Sequence, residues 1–82
     1  MDGKYIRFHV IERKEKTKIY GVFTKDNDLI GTIKWYSRWR QYCFFPDKDT
    51  VWSNGCLKDL CNFIYQITKE REEQLSSTAH KG

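Results

Sequence analysis

The chain has 82 residues and a mass of 9.9 kDa, room for one domain with one core and none for a second. Hydrophobic residues are 39%, aromatics 16% and charged residues 32%, with one proline and five glycines, a composition outside the collagen-like and Pro/Gly-rich disordered classes; no apolar stretch reaches the ~20 residues of a membrane span. The net charge of +4 is uneven, with ten Lys/Arg and five Asp/Glu over residues 1–45 against five and six over residues 46–82, so the excess favours anionic partners and sits in the first half.

Residues 5–12 alternate, Ile6, Phe8 and Val10 facing one way and Arg7, His9 and Ile11 the other, which predicts a strand. A charged tetrad, Arg13-Lys14-Glu15-Lys16, ends it. A second strand is predicted at 17–24, with Ile19 and Phe23 on one face and Lys18, Tyr20 and Val22 on the other. The cluster Lys25-Asp26-Asn27-Asp28 reads as a turn, because Asp and Asn side chains bond their own backbone. A third strand follows at 29–36, with Leu29, Ile33 and Trp35 inward and Thr32, Lys34 and Tyr36 outward. The link Ser37-Arg38-Trp39 leads to a fourth strand at 40–45, closed by Pro46, which has no N–H for a ladder. Links this short predict an antiparallel meander.

After a loop at 47–52, Ser53 or Asn54 supplies a helix N-cap, and Asp59 lies in the early turns favoured by anions. Cys56, Leu57, Leu60, Cys61, Phe63, Ile64 and Ile67 approximate i, i+3, i+4, i+7 spacing, with polar residues opposite. The helix is expected to run to about Leu75 and to bury Leu60 and Ile64. The last segment, 76–82, lacks periodicity and is expected to be a disordered tail beyond a single domain at 1–75. The fold class is α+β: a four-stranded antiparallel meander with one face packed by a single C-terminal helix, ββββα.

Three cysteines, Cys43, Cys56 and Cys61, cannot form a complete disulfide framework, and their spacing matches no common zinc arrangement. They read as core thiols in a reducing cytoplasm, consistent with an N-terminus that has no apolar signal-like stretch. No Ser-His-Asp signature, glycine-rich phosphate loop or HExxH is present; Asp47 and Asp49 flank Lys48 as solvated turn formers rather than metal ligands. The expectation is a protein that is not an enzyme and carries neither metal nor cofactor.

One stretch is dense in recognition chemistry. Residues 34–46 hold Trp35, Tyr36, Trp39, Tyr42, Phe44 and Phe45 together with Lys34, Arg38 and Arg40. With Trp35 inward and Phe44 or Phe45 filling the space under the helix, Lys34, Tyr36, Arg38, Trp39, Arg40 and Tyr42 are the candidate binding residues on an open sheet face, and Tyr20 is able to join them. Arg and Lys suit phosphate or carboxylate, and aromatic planes suit stacking. The same residues also have a purely structural reading, in which aromatics cap hydrophobic edges and cations keep an edge strand from aggregating.

The segment also carries a resemblance. Gly31, the run Ile33-Lys34-Trp35-Tyr36, the run Trp39-Arg40-Gln41-Tyr42-Cys43-Phe44-Phe45-Pro46, the step Thr50-Val51-Trp52 and the helix start Gly55-Cys56-Leu57 resemble a family of small uncharacterised bacterial and prophage proteins. The resemblance covers roughly residues 30–67. It implies a bacterial or phage source and transfers no catalytic residue.

Two function classes follow. One is a nucleic-acid-binding module using the open sheet face. The other is a protein-interaction module, a homodimer or a phage-encoded modulator of a host protein, because Trp, Tyr and Arg also dominate interface hot spots. An acidic protein surface fits the second class, and no membrane is expected in either.

Overall fold

A computed structural model describes the backbone of residues 3–81 and the side-chain surroundings of residues 3–73. Four strands, β1 Arg7–Arg13, β2 Lys18–Phe23, β3 Leu29–Tyr36 and β4 Gln41–Pro46, form an antiparallel sheet in the order β1-β2-β3-β4, and one helix, α1 Asn54–Lys81, follows. The meander and its ββββα order are those the sequence predicts, with strand ends shifted by a residue or two.

The core lies between one sheet face and α1. Ile6, Phe8, Tyr20, Val22, Ile33 and Tyr42 from the sheet side meet Leu60, Phe63 and Ile67 from the helix. Phe63 is the centre: its ring lies flat on Phe8, centroids 4.1 Å apart, and meets Tyr20 edge-on at 5.1 Å. Such pairs contribute about 0.5–1.5 kcal/mol beyond their area. Leu60 is buried as expected, whereas Ile64 is half-buried at the margin and Leu57 is exposed. The helix face is therefore the narrower Leu60, Phe63, Ile67 stripe.

Ser53 caps α1: its Oγ accepts the backbone N–H of Cys56 at 3.2 Å, satisfying a donor that has no partner inside the helix. Asp59 ties the chain start to this end of α1 by accepting the Tyr5 backbone N–H at 2.6 Å. A helix of 28 residues is about 42 Å long and the eight-residue β3 about 26 Å, so α1 outruns the sheet. It continues past the end expected near Leu75, because 76–81 contain no Gly or Pro to stop the ladder. Side chains from residue 74 onward lie outside the described residues, so the expectation that 76–82 adds nothing to the core stands as a prediction.

Two register shifts correct the simple alternation. Between Val22 and Phe23 the pairing slips so that Phe23 faces Leu29. Leu29 consequently stays 45% exposed instead of pointing inward, and Ile30 packs against the core in its place. In β1, Val10 pairs with Tyr20 and Glu12 with Ile19, which leaves Ile11 as an inserted residue.

Candidate functional site

Directly opposed residues of an antiparallel sheet share a face. The pairs His9↔Gly21, Gly21↔Thr32 and Thr32↔Phe45 therefore form one row across the face that α1 leaves open. Small residues occupy the middle of that row and rings its flanks. The Phe23 ring folds over Gly21 so closely that a Cβ on Gly21 would lie 2.7 Å from it, so a side chain there would have to push the ring aside. On the other flank Lys34 places its ammonium 4.7 Å from the centroid of the Phe45 ring, a cation–π contact. Tyr36 stands edge-on to both Phe45, at 6.2 Å, and Trp39, at 5.0 Å.

The β3–β4 turn sets the end of this ladder. Trp39 donates its N–H to the Tyr36 carbonyl at 3.1 Å, and Arg40 donates to Ser37 at 3.3 Å. Arg40 adopts φ 53°, left-handed backbone that non-glycine residues rarely occupy. The tight loop projects Trp39 into solvent, 63% exposed, between the exposed side chains of Arg38 and Arg40.

Five of the six candidate residues thus come together: Lys34 and Tyr36 on the open face, Arg38, Trp39 and Arg40 at the turn. Tyr42 does not. It pairs with Trp35, and the two rings meet edge-on at 5.4 Å on the helix side, where Tyr42 is 7% exposed. Its alternation with Arg40 misleads because Arg40 is a turn residue and fixes no strand face. Tyr20 is likewise buried on the helix side, 6.1 Å from Tyr42, and cannot join the open face. Phe45 takes the place assigned to Tyr42. Its signal was present in the sequence: once Trp35 faces inward across a four-residue turn, Tyr42 and Phe44 must follow it and Phe45 must face out.

The meander also segregates charge. Alternate hairpins of an antiparallel meander point the same way, so the β1–β2 tip and the β3–β4 turn lie at one end of the sheet. Residues 12–18 and 34–40, which build that end, contain seven cations and two carboxylates, Glu12 and Glu15. Glu12 is paired with Lys14 at 3.3 Å. The opposite end carries Asp26, Asp28, Asp47 and Asp49 against Lys25 and Lys48 in its turns and loops. Among the described residues no group of three His, Cys, Asp or Glu is placed to hold a metal ion, and no helix is long and apolar enough to cross a membrane.

Comparison with known proteins places this arrangement in context. Over 60 residues, 72% of the chain, the sequence is 33% identical to an "Uncharacterized 9.3 kDa protein" of Acholeplasma phage L2, covering 77% of that protein. No family model matches the chain. No solved structure matches it.

Proposed function

The chain belongs to the family of small proteins that includes the 9.3 kDa protein of Acholeplasma phage L2, and we propose that it is a non-enzymatic module that binds single-stranded nucleic acid across its open sheet face and β3–β4 turn. The observation that carries this reading is Trp39: an indole held 63% exposed, supported edge-on by Tyr36 and flanked by two arginines. An indole in that position offers a stacking plane, and the arginines and Lys34 offer charge to the phosphates beside a stacked base. Phe45, with Lys34 over its ring, extends the platform along the face. In this chain, the run 33–36 and the run 39–46 are taken as the segments that build the site. The three free cysteines fit a reducing compartment, and the proposed location is the cytoplasm of a bacterial host.

A titration with short single- and double-stranded oligonucleotides at two salt concentrations tests the proposal. Binding to single strands should weaken steeply with salt, and Arg38→Ala or Arg40→Ala should each flatten the slope of log affinity against log salt by about one counterion. A protein partner, a second copy of the chain or a host protein, is the second reading, favoured by Ile11, which stands 49% exposed beside Gly21 on the same face. No binding to any oligonucleotide at low salt by the folded chain would remove the first reading in favour of the second.

A further inference from the structure

A cleft lies on the other side of the sheet, at its cationic end. It holds about 630 Å³ between the β1–β2 tip and the Ile67, Glu70, Arg71 and Glu73 stretch of α1. Tyr20 and Tyr42 line it, and neither hydroxyl has a hydrogen-bond partner among the described residues. Arg13, Lys14, Lys16 and Lys18 supply the facing wall.

The bulge in β1 is what builds this wall. An inserted residue reverses the facing of everything beyond it. Counted from His9 without Ile11 inserted, Arg13 would stand on the open face. With the insertion it pairs with Lys18, which alternates in phase with Tyr20, so both cations reach the cleft. Of these cations only Lys14 has an ion pair among the described residues, and that is to Glu12. Arg71 lies over the Trp35 ring, 3.9 Å from its centroid, and is engaged there.

We infer that this cleft is a phosphate-binding site, with Arg13 and Lys18 supplying charge and the hydroxyls of Tyr20 and Tyr42 donating hydrogen bonds to the phosphate oxygens. Neutral hydroxyl donors beside fixed cations in a half-enclosed cleft are the donor set an oxyanion requires. Burial, reinforced by neighbouring Tyr42, pushes the Tyr20 hydroxyl up to about 12, so it keeps the proton it donates. Glu15, Glu70 and Glu73 also line the cleft. Glu70 and Glu73 repel an anion from the helix wall toward the hairpin side, where Arg13, Lys14, Lys16 and Lys18 outnumber Glu15.

Phosphate of this chemistry has two sources. One is a free phosphate compound; the other is the backbone of a strand passing round the sheet end from the Trp39 turn, and this second source rests on the proposed function. The test is a set of two-dimensional ¹⁵N spectra of the full chain titrated with inorganic pyrophosphate, with 5′-AMP and with a short oligonucleotide. Saturable shifts at Arg13, Lys18, Tyr20 and Tyr42 are expected. The double variant Arg13→Gln/Lys18→Gln should weaken binding about tenfold or more, and Tyr20→Phe, which removes only the hydroxyl, should weaken it several-fold. Trp39→Ala should leave pyrophosphate binding unchanged. Shifts with pyrophosphate or 5′-AMP identify a free compound as the source; shifts with the oligonucleotide alone, weakened by Trp39→Ala, identify the strand backbone. Pyrophosphate binding without any oligonucleotide binding would retain the cleft and remove the open-face function. The absence of saturable shifts with all three probes, or undiminished affinity in the double variant, would overturn the inference.

Discussion

The two faces of the sheet are built from the same kinds of residue and differ in what lies above them. On the helix side, Tyr20, Tyr42, Phe8 and Phe63 are each less than 10% exposed and meet other rings in stacked or edge-on pairs. On the open side, Tyr36 and Phe45 are half-buried by edge contacts with each other, while Trp39 at the turn is largely in water. Aromatic content alone therefore says nothing about function in this chain. The strand register decides which rings hold the fold and which are left for a partner.

Truncations should separate the two faces most sharply. Phe63→Ala removes the ring between Phe8 and Tyr20 and should cost about 3–5 kcal/mol, most of the stability of so small a domain. Phe45→Ala on the open side should cost about 1 kcal/mol or less, since solvent already reaches that ring. Denaturant unfolding of the two variants checks the contrast, and equal losses would mean that the open face is covered by something.

Alkaline pH provides a second separation. In the folded chain Tyr20 keeps its proton to about pH 12, whereas an unburied tyrosine releases it near 10. Between those values the unfolded chain has lost a proton that the folded chain still binds, so stability falls as pH rises through the window. Thermal melts from pH 9 to 12 should show that fall in the natural chain and a flatter profile in Tyr20→Phe.

How much of this was legible in the sequence depended on which geometric rule each element obeys. Strand alternation located Ile6, Phe8, Ile33 and Trp35 correctly, and residue type narrowed the helix cap to Ser53 or Asn54, of which the structure uses Ser53. The faces of β4 were harder. Arg40 resembles a strand residue, but its left-handed backbone ends the turn, so strand parity starts at Gln41. The Ile11 bulge was invisible for another reason: residues 5–12 alternate well, and only pairing with β2 reveals the extra residue. The cleft above Tyr20 and the charged end of the sheet depend on segments distant in the chain, and alternation within one strand carries no such information.

Smaller effects refine the comparison at the turn. Trp39→Ala should change stability by no more than about 0.5 kcal/mol and cost about 1–3 kcal/mol of oligonucleotide binding, so stability and affinity dissociate there. Arg40→Gly should raise stability by about 0.5–1 kcal/mol by relieving the left-handed backbone, while reducing affinity through the lost guanidinium. Removing 76–82 should leave the thermal midpoint almost unchanged, as read by calorimetry on the shortened chain.

The three tryptophans provide the most direct test of the open-face claim, because each sits in a different environment. Trp39 is at the exposed turn, Trp35 lies beneath Arg71, and Trp52 packs against Phe44 at 4.7 Å and donates its indole N–H to the Thr50 hydroxyl at 2.9 Å. Each gives its own indole N–H signal in a ¹⁵N spectrum. On addition of a single-stranded oligonucleotide the Trp39 signal should move farthest and saturate, while the Trp52 signal stays in place. A stationary Trp39 signal in the presence of bound oligonucleotide would contradict the account.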